Sequence, residues 1–376
     1  LYDLLAYLKK VPARGRAPTK TLIYGYTFDP GLSPRYDAAV REFRALFGLR
    51  LTSPEPIAGT YVDWRGQGPE QLEATCKKLS QTERRNIAVV SLGDEIGLPA
   101  PDAKAATEGF VALLKANRVA ADDVDPSCHG DWSKIRYSSD PRLKKSKPGL
   151  YYWSARYRHH YGIRTIKRQT DVLRRWLPNA GIGANFSPQH GDPGQFYQGE
   201  VFQWVTCFRD DGLTLPWSED YAWGVPLGTQ QMNGANLDLF RAGLRGKPDR
   251  KILYYVMPPS PGNTPAAWRR MFHNALGHGM KIVDLFEFRP VQAAYTENHV
   301  SNPRTYATVL ETFRELGQYE DIVQAGQRRP AQLGLWFSET ADIWNDHEDS
   351  FGAAKRALYV ALLHRQLPLD FLVEQD

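Results

Sequence analysis

Asn86-Ile-Ala-Val-Val-Ser-Leu92 runs straight into Gly93-Asp94-Glu95, and this stretch decides the fold. A short, unbroken apolar run rich in Val and Ile, stopped by a glycine, predicts a parallel strand covered on both faces. Two acids follow its C-terminal end, which is the end where parallel α/β folds gather their chemistry.

Moving outward, similar runs recur with amphipathic helices between them. Before it lie Thr21–Phe28 and a weaker extended segment, Leu49–Pro54, with helices expected over 34–47 and 69–79. After it come a helix near 103–117, an irregular insertion over 122–148 and a long helix over 150–177. Further strands are read at Gly181–Phe186, Leu213–Trp217, Lys251–Met257 and Lys281–Phe286, with helices near 199–209, 228–245, 264–279 and 303–325. Pro265 behind Asn263-Thr264 marks a helix start, because proline at the first helical position has no N–H to lose.

Seven strand candidates, each followed by a helix, predict a (β/α)8 TIM barrel over residues 1–328, with its first strand expected ahead of Leu1. The competing doubly wound sheet normally carries a glycine-rich phosphate turn. Neither G-x-G-x-x-G nor G-x-x-x-x-G-K-[ST] occurs. The pattern restarts near Gln327: Ala331–Phe337 reads as a strand, 350–365 as a helix and Leu367–Val373 as a strand. Residues 329–376 are therefore expected to open a second α/β unit that continues past Asp376.

The 376 residues carry 47 Lys and Arg against 42 Asp and Glu, so no dense basic face points to nucleic acid. The one basic run, Arg142–Lys147, reads as a solvated loop. Cys76, Cys128 and Cys207 are far apart and form no C-x-x-C, which argues against a disulfide framework or structural zinc. No apolar run reaches membrane-spanning length. The opening residues lack the apolar centre of a signal peptide; a periplasmic or extracellular location is favoured over a cytoplasmic one only loosely. Ten Trp and nineteen Tyr, several in polar settings, favour a carbohydrate partner, since aromatic faces pack on the C–H faces of sugars.

Acids stand at several strand ends: Asp29, Asp94-Glu95, Glu219-Asp220 and Glu287. Carboxyl groups without a metal-ligand pattern fit glycosidic-bond cleavage, in which one acid protonates the leaving oxygen and a second carboxylate attacks or activates water. No cofactor or metal is expected. The alternative for each acid is a cap on the following helix. Asn185, His190, Trp217, Tyr221, Trp223 and Arg289 complete the expected sugar-binding set. His129, Asp131 and Trp132 of the insertion are candidates to reach over the cleft, and His159-His160 are expected to face solvent.

These residues resemble a known family. Ile87–Gly97 is similar to the fourth-strand segment of the family 42 β-galactosidases, where an Asn-Glu pair ends the strand and the Glu is the acid/base. The resemblance places Glu95 in that role, with Asp94 where Asn is usual. Ala184-Asn-Phe186, Trp217-Ser-Glu-Asp-Tyr221, Tyr255–Gly262 and His278-Gly-Met-Lys281 resemble the corresponding later segments in the right order. Leu333–Trp344 and Ala357–Asp370 resemble the start of the family's flavodoxin/amidotransferase-like α/β domain, which implies a homotrimer.

One position departs from the family. Pro258 stands where the seventh-strand nucleophile Glu belongs, and proline can neither attack a sugar nor accept a proton. Three readings follow: Glu219 or Asp220 supplies the second carboxylate, Glu287 supplies it, or the barrel binds carbohydrate without cleaving it. The first is favoured, because acids set among Trp217, Tyr221 and Trp223 are costly to desolvate unless they do chemistry.

Overall fold

The computed structural model describes residues 1–25, 36–52, 59–187, 202–219, 229–258, 264–286, 288, 300–345 and 349–376. Within them lies an eight-stranded parallel sheet: β1 Leu22–Tyr24, β2 Leu51–Thr52, β3 Gly59–Asp63, β4 Ile87–Ser91, β5 Gly181–Gly183, β6 Trp217–Ser218, β7 Ile252–Tyr255 and β8 Met280–Asp284. Its order is β5-β4-β3-β2-β1-β8-β7-β6. The end strands also meet: Phe186 and Ser218 form a parallel bridge, and the Phe186 N–H donates to Trp217 O at 3.1 Å. Thr214 and Leu215 both donate backbone N–H to Ile182 O at 2.9 Å.

The expected missing first strand is corrected by this topology. β1 is paired directly with β8, Leu22 opposite Ile282 and Tyr24 opposite Asp284, so no upstream strand lies between them. The strand absent from the sequence count is β3. Its burial pattern mixes half-buried positions with an exposed Asp63, so it shows no apolar run.

Side chains alternate across the sheet, as the two-residue period of a strand requires. Val89, Leu215, Trp217, Leu253, Tyr255, Met257 and Ile282 form an interior cluster. Val90, Ile182, Tyr254, Val256 and Val283 face the other way and join the larger helix-covered core. Glycine is needed where β5 approaches β6: a Cβ on Gly183 would lie 2.5 Å from Leu215 O.

The helices begin where the cap signals stand. The Thr264 hydroxyl accepts from Ala267 N at the start of Pro265–Gly277, and the Asn302 side chain accepts from Arg304 N ahead of Pro303–Ala325. From that last helix Glu320, fully buried, accepts the backbone N–H groups of Thr19, Lys20 and Thr21 at 2.8–2.9 Å and pairs with Arg16. It thereby ties the segment entering β1 to the helical layer. Burial alone would raise the Glu320 pKa, but these donors outweigh it and hold the carboxyl down to about 2.

The insertion folds as a separate small cluster with Phe110, Leu114, Leu150 and Tyr157. Asp131 caps Ser133 N at 2.8 Å, and Lys115 lies over the Trp132 ring, so these residues are occupied locally instead of reaching over a cleft. Nor do the paired histidines face solvent. His159 is buried, and burial together with Arg156 and Arg164 pushes the His160 imidazole down to about 4.

Beyond residue 328 the chain forms a separate two-stranded parallel sheet, β9 Leu333–Trp336 and β10 Leu369–Leu372, with helices Glu339–Asn345 and Asp349–His364 between them. It docks through Asp238, a fully buried acid on helix Thr229–Gly243. Asp238 meets Arg241, His278 Nδ1 at 2.8 Å, Arg328 at 2.5 Å and the Tyr359 hydroxyl at 2.9 Å. Burial works against its charge, yet the cations around it keep the carboxyl well below the usual range.

Candidate active site

The backbone continuing from β4 stays hydrogen-bonded to that continuing from β5. Leu92 N donates to Gly183 O at 2.8 Å, Asn185 N to Gly93 O at 3.1 Å, and Ile96 N to Asn185 O at 3.2 Å. Asn185 is thus held beside the Asp94-Glu95 turn. Glu95 itself adopts φ 49°, a left-handed conformation uncommon for any residue but glycine. Strain of this kind concentrates at functional sites because the surroundings must hold it in place.

Asn185 is buried, and its side-chain amide is committed on two sides. Nδ2 donates to Asp94 Oδ1 at 3.0 Å and to Glu219 Oε2 at 2.7 Å. The sequence placed Asn185 among the sugar ligands; in the structure it joins two carboxyls. Glu219 follows β6, its backbone carbonyl within 3.1 Å of the Tyr254 hydroxyl, and its side chain is 2% exposed.

Glu95, on the turn beside Asn185, is the charged neighbour of Glu219. Burial pushes the Glu219 carboxyl well above the usual range. The Asn185 and Ser187 donors oppose that shift, and the neighbouring Glu95 charge adds to it. No donor among the described residues reaches Glu219 Oε1. Asp94 and Glu95 are both exposed, with Arg65 3.9 Å from Asp94.

Below this line of acids the inner face of the sheet is aromatic. Tyr24 stacks on Tyr61 with centroids 4.7 Å apart, Tyr61 meets Trp217 edge-on at 5.7 Å, Trp217 meets Tyr255 at 6.0 Å, and Tyr255 stacks on Phe286 at 5.7 Å. Trp217, expected to bind sugar, is 1% exposed inside this layer and is a packing residue. Tyr24, Tyr61 and Phe286 are only half-buried, so the surface open to a ligand comes from Tyr24 and Phe286, in runs read as strand, and from Tyr61 on the strand that the sequence reading missed. Their inward alternation along β1, β3 and β8 was the available signal. His190, Asp220, Tyr221, Trp223, Glu287 and Arg289, along with Asp29, lie outside the described residues.

One further acid was missed. Asp284 ends β8 on the interior face, fully buried, and neither carboxyl oxygen has a hydrogen-bonding partner among the described residues.

No sequence-family model and no curated protein matches the chain. Solved structures do. A β-galactosidase from Bacillus circulans sp. alkalophilus superposes with a TM-score of 0.68 at 13% identity, over 95% of this chain and 66% of that one. A catalytic mutant of a GH42 β-galactosidase from G. stearothermophilus gives 0.63 at 15% identity, over 100% and 63%. A GH42 exo-carrageenase from Bacteroides ovatus gives 0.60 at 12% identity, over 95% and 59%. The fold is GH42-like. The chain spans about two thirds of the length of these structures, and at such identities the likeness is one of architecture: parallel strands and helices arranged as in the GH42 TIM barrels.

Proposed function

We propose that the protein is a glycoside hydrolase acting on O-glycosidic bonds of an oligo- or polysaccharide, with Glu95 and Glu219 as its carboxyl pair. The observation that carries this reading is the cluster that Asn185 builds at the C-terminal ends of the strands, where its amide donates to Asp94 at 3.0 Å and to the buried Glu219 at 2.7 Å beside the exposed Glu95. Glu95 faces solvent, so it is the group that meets the glycosidic oxygen as general acid. Glu219 is left as the carboxylate. Asn185 then stabilises that charge through the 2.7 Å bond it already makes.

Glu219, from the neighbouring strand end after β6, supplies the second carboxylate that Pro258 after β7 cannot. This reading takes the sheet, bridged at Phe186 and Ser218, as a (β/α)8 barrel, and residues 329–376 as the start of an amidotransferase-like domain of a homotrimer.

The test is Glu95→Gln against aryl glycosides and galactan, agar and carrageenan oligosaccharides. A loss of 10²–10⁴-fold in kcat/KM with an unchanged melting temperature is expected, the usual scale for a positioned acid or base. Hydrolysis at the wild-type rate by Glu95→Gln refutes the assignment. Pro258 also favours a second reading, a barrel that binds carbohydrate and leaves it intact; saturable binding without cleavage by wild type across the panel would establish it.

A further inference from the structure

The near balance of charge over the whole chain conceals a local excess. Residues 142–176 hold eleven Lys and Arg and a single acid, Asp171, a net charge of +10 (eleven less one) where the whole chain carries +5. Most of this stretch is one helix, Pro148–Trp176, and seven of the cations stand on it. Some are neutralised in place: Lys167 by Asp171 at 3.1 Å, Arg174 by Asp211 at 3.6 Å and Arg175 by Glu73 at 3.1 Å. Arg164 and Arg168 are not. Both are exposed, they stand one helical turn apart on the same face, and among the described residues neither meets a carboxylate or a hydrogen-bonding partner.

The surface beside them is hollow. Trp153, Arg156, Arg164 and Lys167 line a recess of about 240 Å³, whose apolar part is Leu113 and Ile163 and whose one acid is Asp210. At 1.5 Å of rise per residue, the wall from Trp153 to Lys167 is about 21 Å long. The recess is therefore a furrow, smaller than the roughly 300 Å³ of a pocket that encloses a small molecule yet long enough for several linked rings.

Its chemistry suits a charged sugar chain. Leu113, Ile163 and the half-buried Trp153 offer apolar surface to the C–H faces of pyranose rings, and the Arg156 guanidinium lies 5.9 Å from the centre of the Trp153 ring. Arg164 and Arg168 add two uncommitted guanidinium forks, which bind a carboxylate or a tetrahedral oxyanion through paired hydrogen bonds. The helix is also clamped to the segment that leaves Glu95. A Cβ on Gly162 would lie 2.8 Å from Leu98 Cβ, the Tyr157 hydroxyl donates to Ala105 O at 2.8 Å, and the Tyr161 hydroxyl donates to Asp102 Oδ2 at 3.1 Å.

We propose that this furrow binds an anionic polysaccharide, a glycan bearing sulfate or uronate groups, along helix Pro148–Trp176. The proposal deepens the glycoside-hydrolase reading by naming the charge of the substrate, and it rests on that reading for the choice of a glycan over other polyanions.

The experiment is isothermal titration calorimetry of the protein with sulfated galactan, oligogalacturonate and neutral galactan oligosaccharides of equal length, at low and high NaCl. Binding of at least one charged glycan about tenfold or more tighter than the neutral one, weakening with salt, is expected; which one binds identifies the anionic group. Arg164→Glu/Arg168→Glu should weaken that binding by about tenfold or more, with an unchanged melting temperature and unchanged turnover of a short aryl glycoside. Arg164→Lys/Arg168→Lys should keep most of it. Equal affinity for charged and neutral glycans, a charge-reversed variant that binds like wild type, or single-stranded DNA bound as tightly as the glycan would each overturn the proposal. Titration needs no turnover, so the two readings fail separately. A protein that binds the charged glycan and cleaves nothing loses only the hydrolase reading; one that cleaves neutral galactan and binds no charged glycan loses only this one.

Discussion

Glu219→Gln is the most informative single substitution, because activity and stability should move in opposite directions. Glutamine keeps the shape of the buried acid and a carbonyl oxygen for the Asn185 amide, which donates at 2.7 Å in the native site. It removes the ability to become a carboxylate. Positioned acid–base groups contribute 10²–10⁴-fold, so a fall in kcat/KM of that size is expected, roughly 3–5 kcal/mol of transition-state stabilisation. The stability effect follows from linkage. A folded-state pKa raised above the unfolded one means that the native protein binds more protons, so wild type is at full strength below the unfolded pKa of about 4.3 and weakens as pH rises toward the folded pKa. The slope is roughly 1.4 kcal/mol per pH unit, and the Gln variant lacks it. Wild type and Glu219→Gln should therefore unfold at similar temperatures near pH 4, and the variant should be the more stable one at pH 7, by several degrees. Differential scanning calorimetry across pH, paired with kinetics at each pH, measures both. A variant less stable than wild type at pH 7, or one that keeps full activity, would show that Glu219 sits in the fold as an ionised structural acid.

Glu320→Gln tests the opposite sign. With its carboxyl held down to about 2 from an ordinary 4.5, Glu320 contributes stability above pH 4.5 that is lost as pH falls toward 2. The variant should lose roughly 3 kcal/mol at neutral pH, with the deficit shrinking in acid, as read from urea midpoints between pH 2.5 and 7. Gly183→Ala places a Cβ 2.5 Å from Leu215 O and should cost about 1–3 kcal/mol. Because Asn185 lies two residues on, the same variant should also lower kcat/KM; a fully stable, fully active Gly183→Ala would mean that the β5–β6 approach is looser than described.

The helices were legible wherever local chemistry sets their ends. Thr264-Pro265 and Asn302-Pro303 announce starts that the structure places at Pro265 and Pro303. Strands announced themselves when both faces were apolar, as in β4 and β7. β3 did not, because Tyr61 faces the mixed interior and Asp63 is exposed at the strand's end, leaving no apolar run to see. Glu95 and Glu219 stood out as acids after strands, but their nearness depends on the backbone pairing between the continuations of β4 and β5, a long-range register that no local pattern carries. Asp284 was hidden for the converse reason: inside Lys281–Phe286 it reads as part of a strand, and attention fell on Glu287 instead. Trp217 misled because a tryptophan beside acids looks like a sugar platform, whereas its register opposite Leu253 turns it into the core.

The spacing of strands explains why these two glutamates are neighbours. β4 and β6 are separated only by β5, so their backbones lie roughly 10 Å apart at about 4.8 Å per strand, within reach of two glutamate side chains meeting over Asn185. A pair drawn from β4 and β7 would lie farther apart around the ring, with room for a sugar between. The structure distinguishes the two glutamates. Glu219 is held by Asn185 on its side chain and by the Tyr254 hydroxyl on its backbone, whereas Glu95 is exposed on a left-handed turn. Under the proposed function Glu95 is therefore the member placed to meet the leaving oxygen, while Glu219 stays fixed beside Asn185.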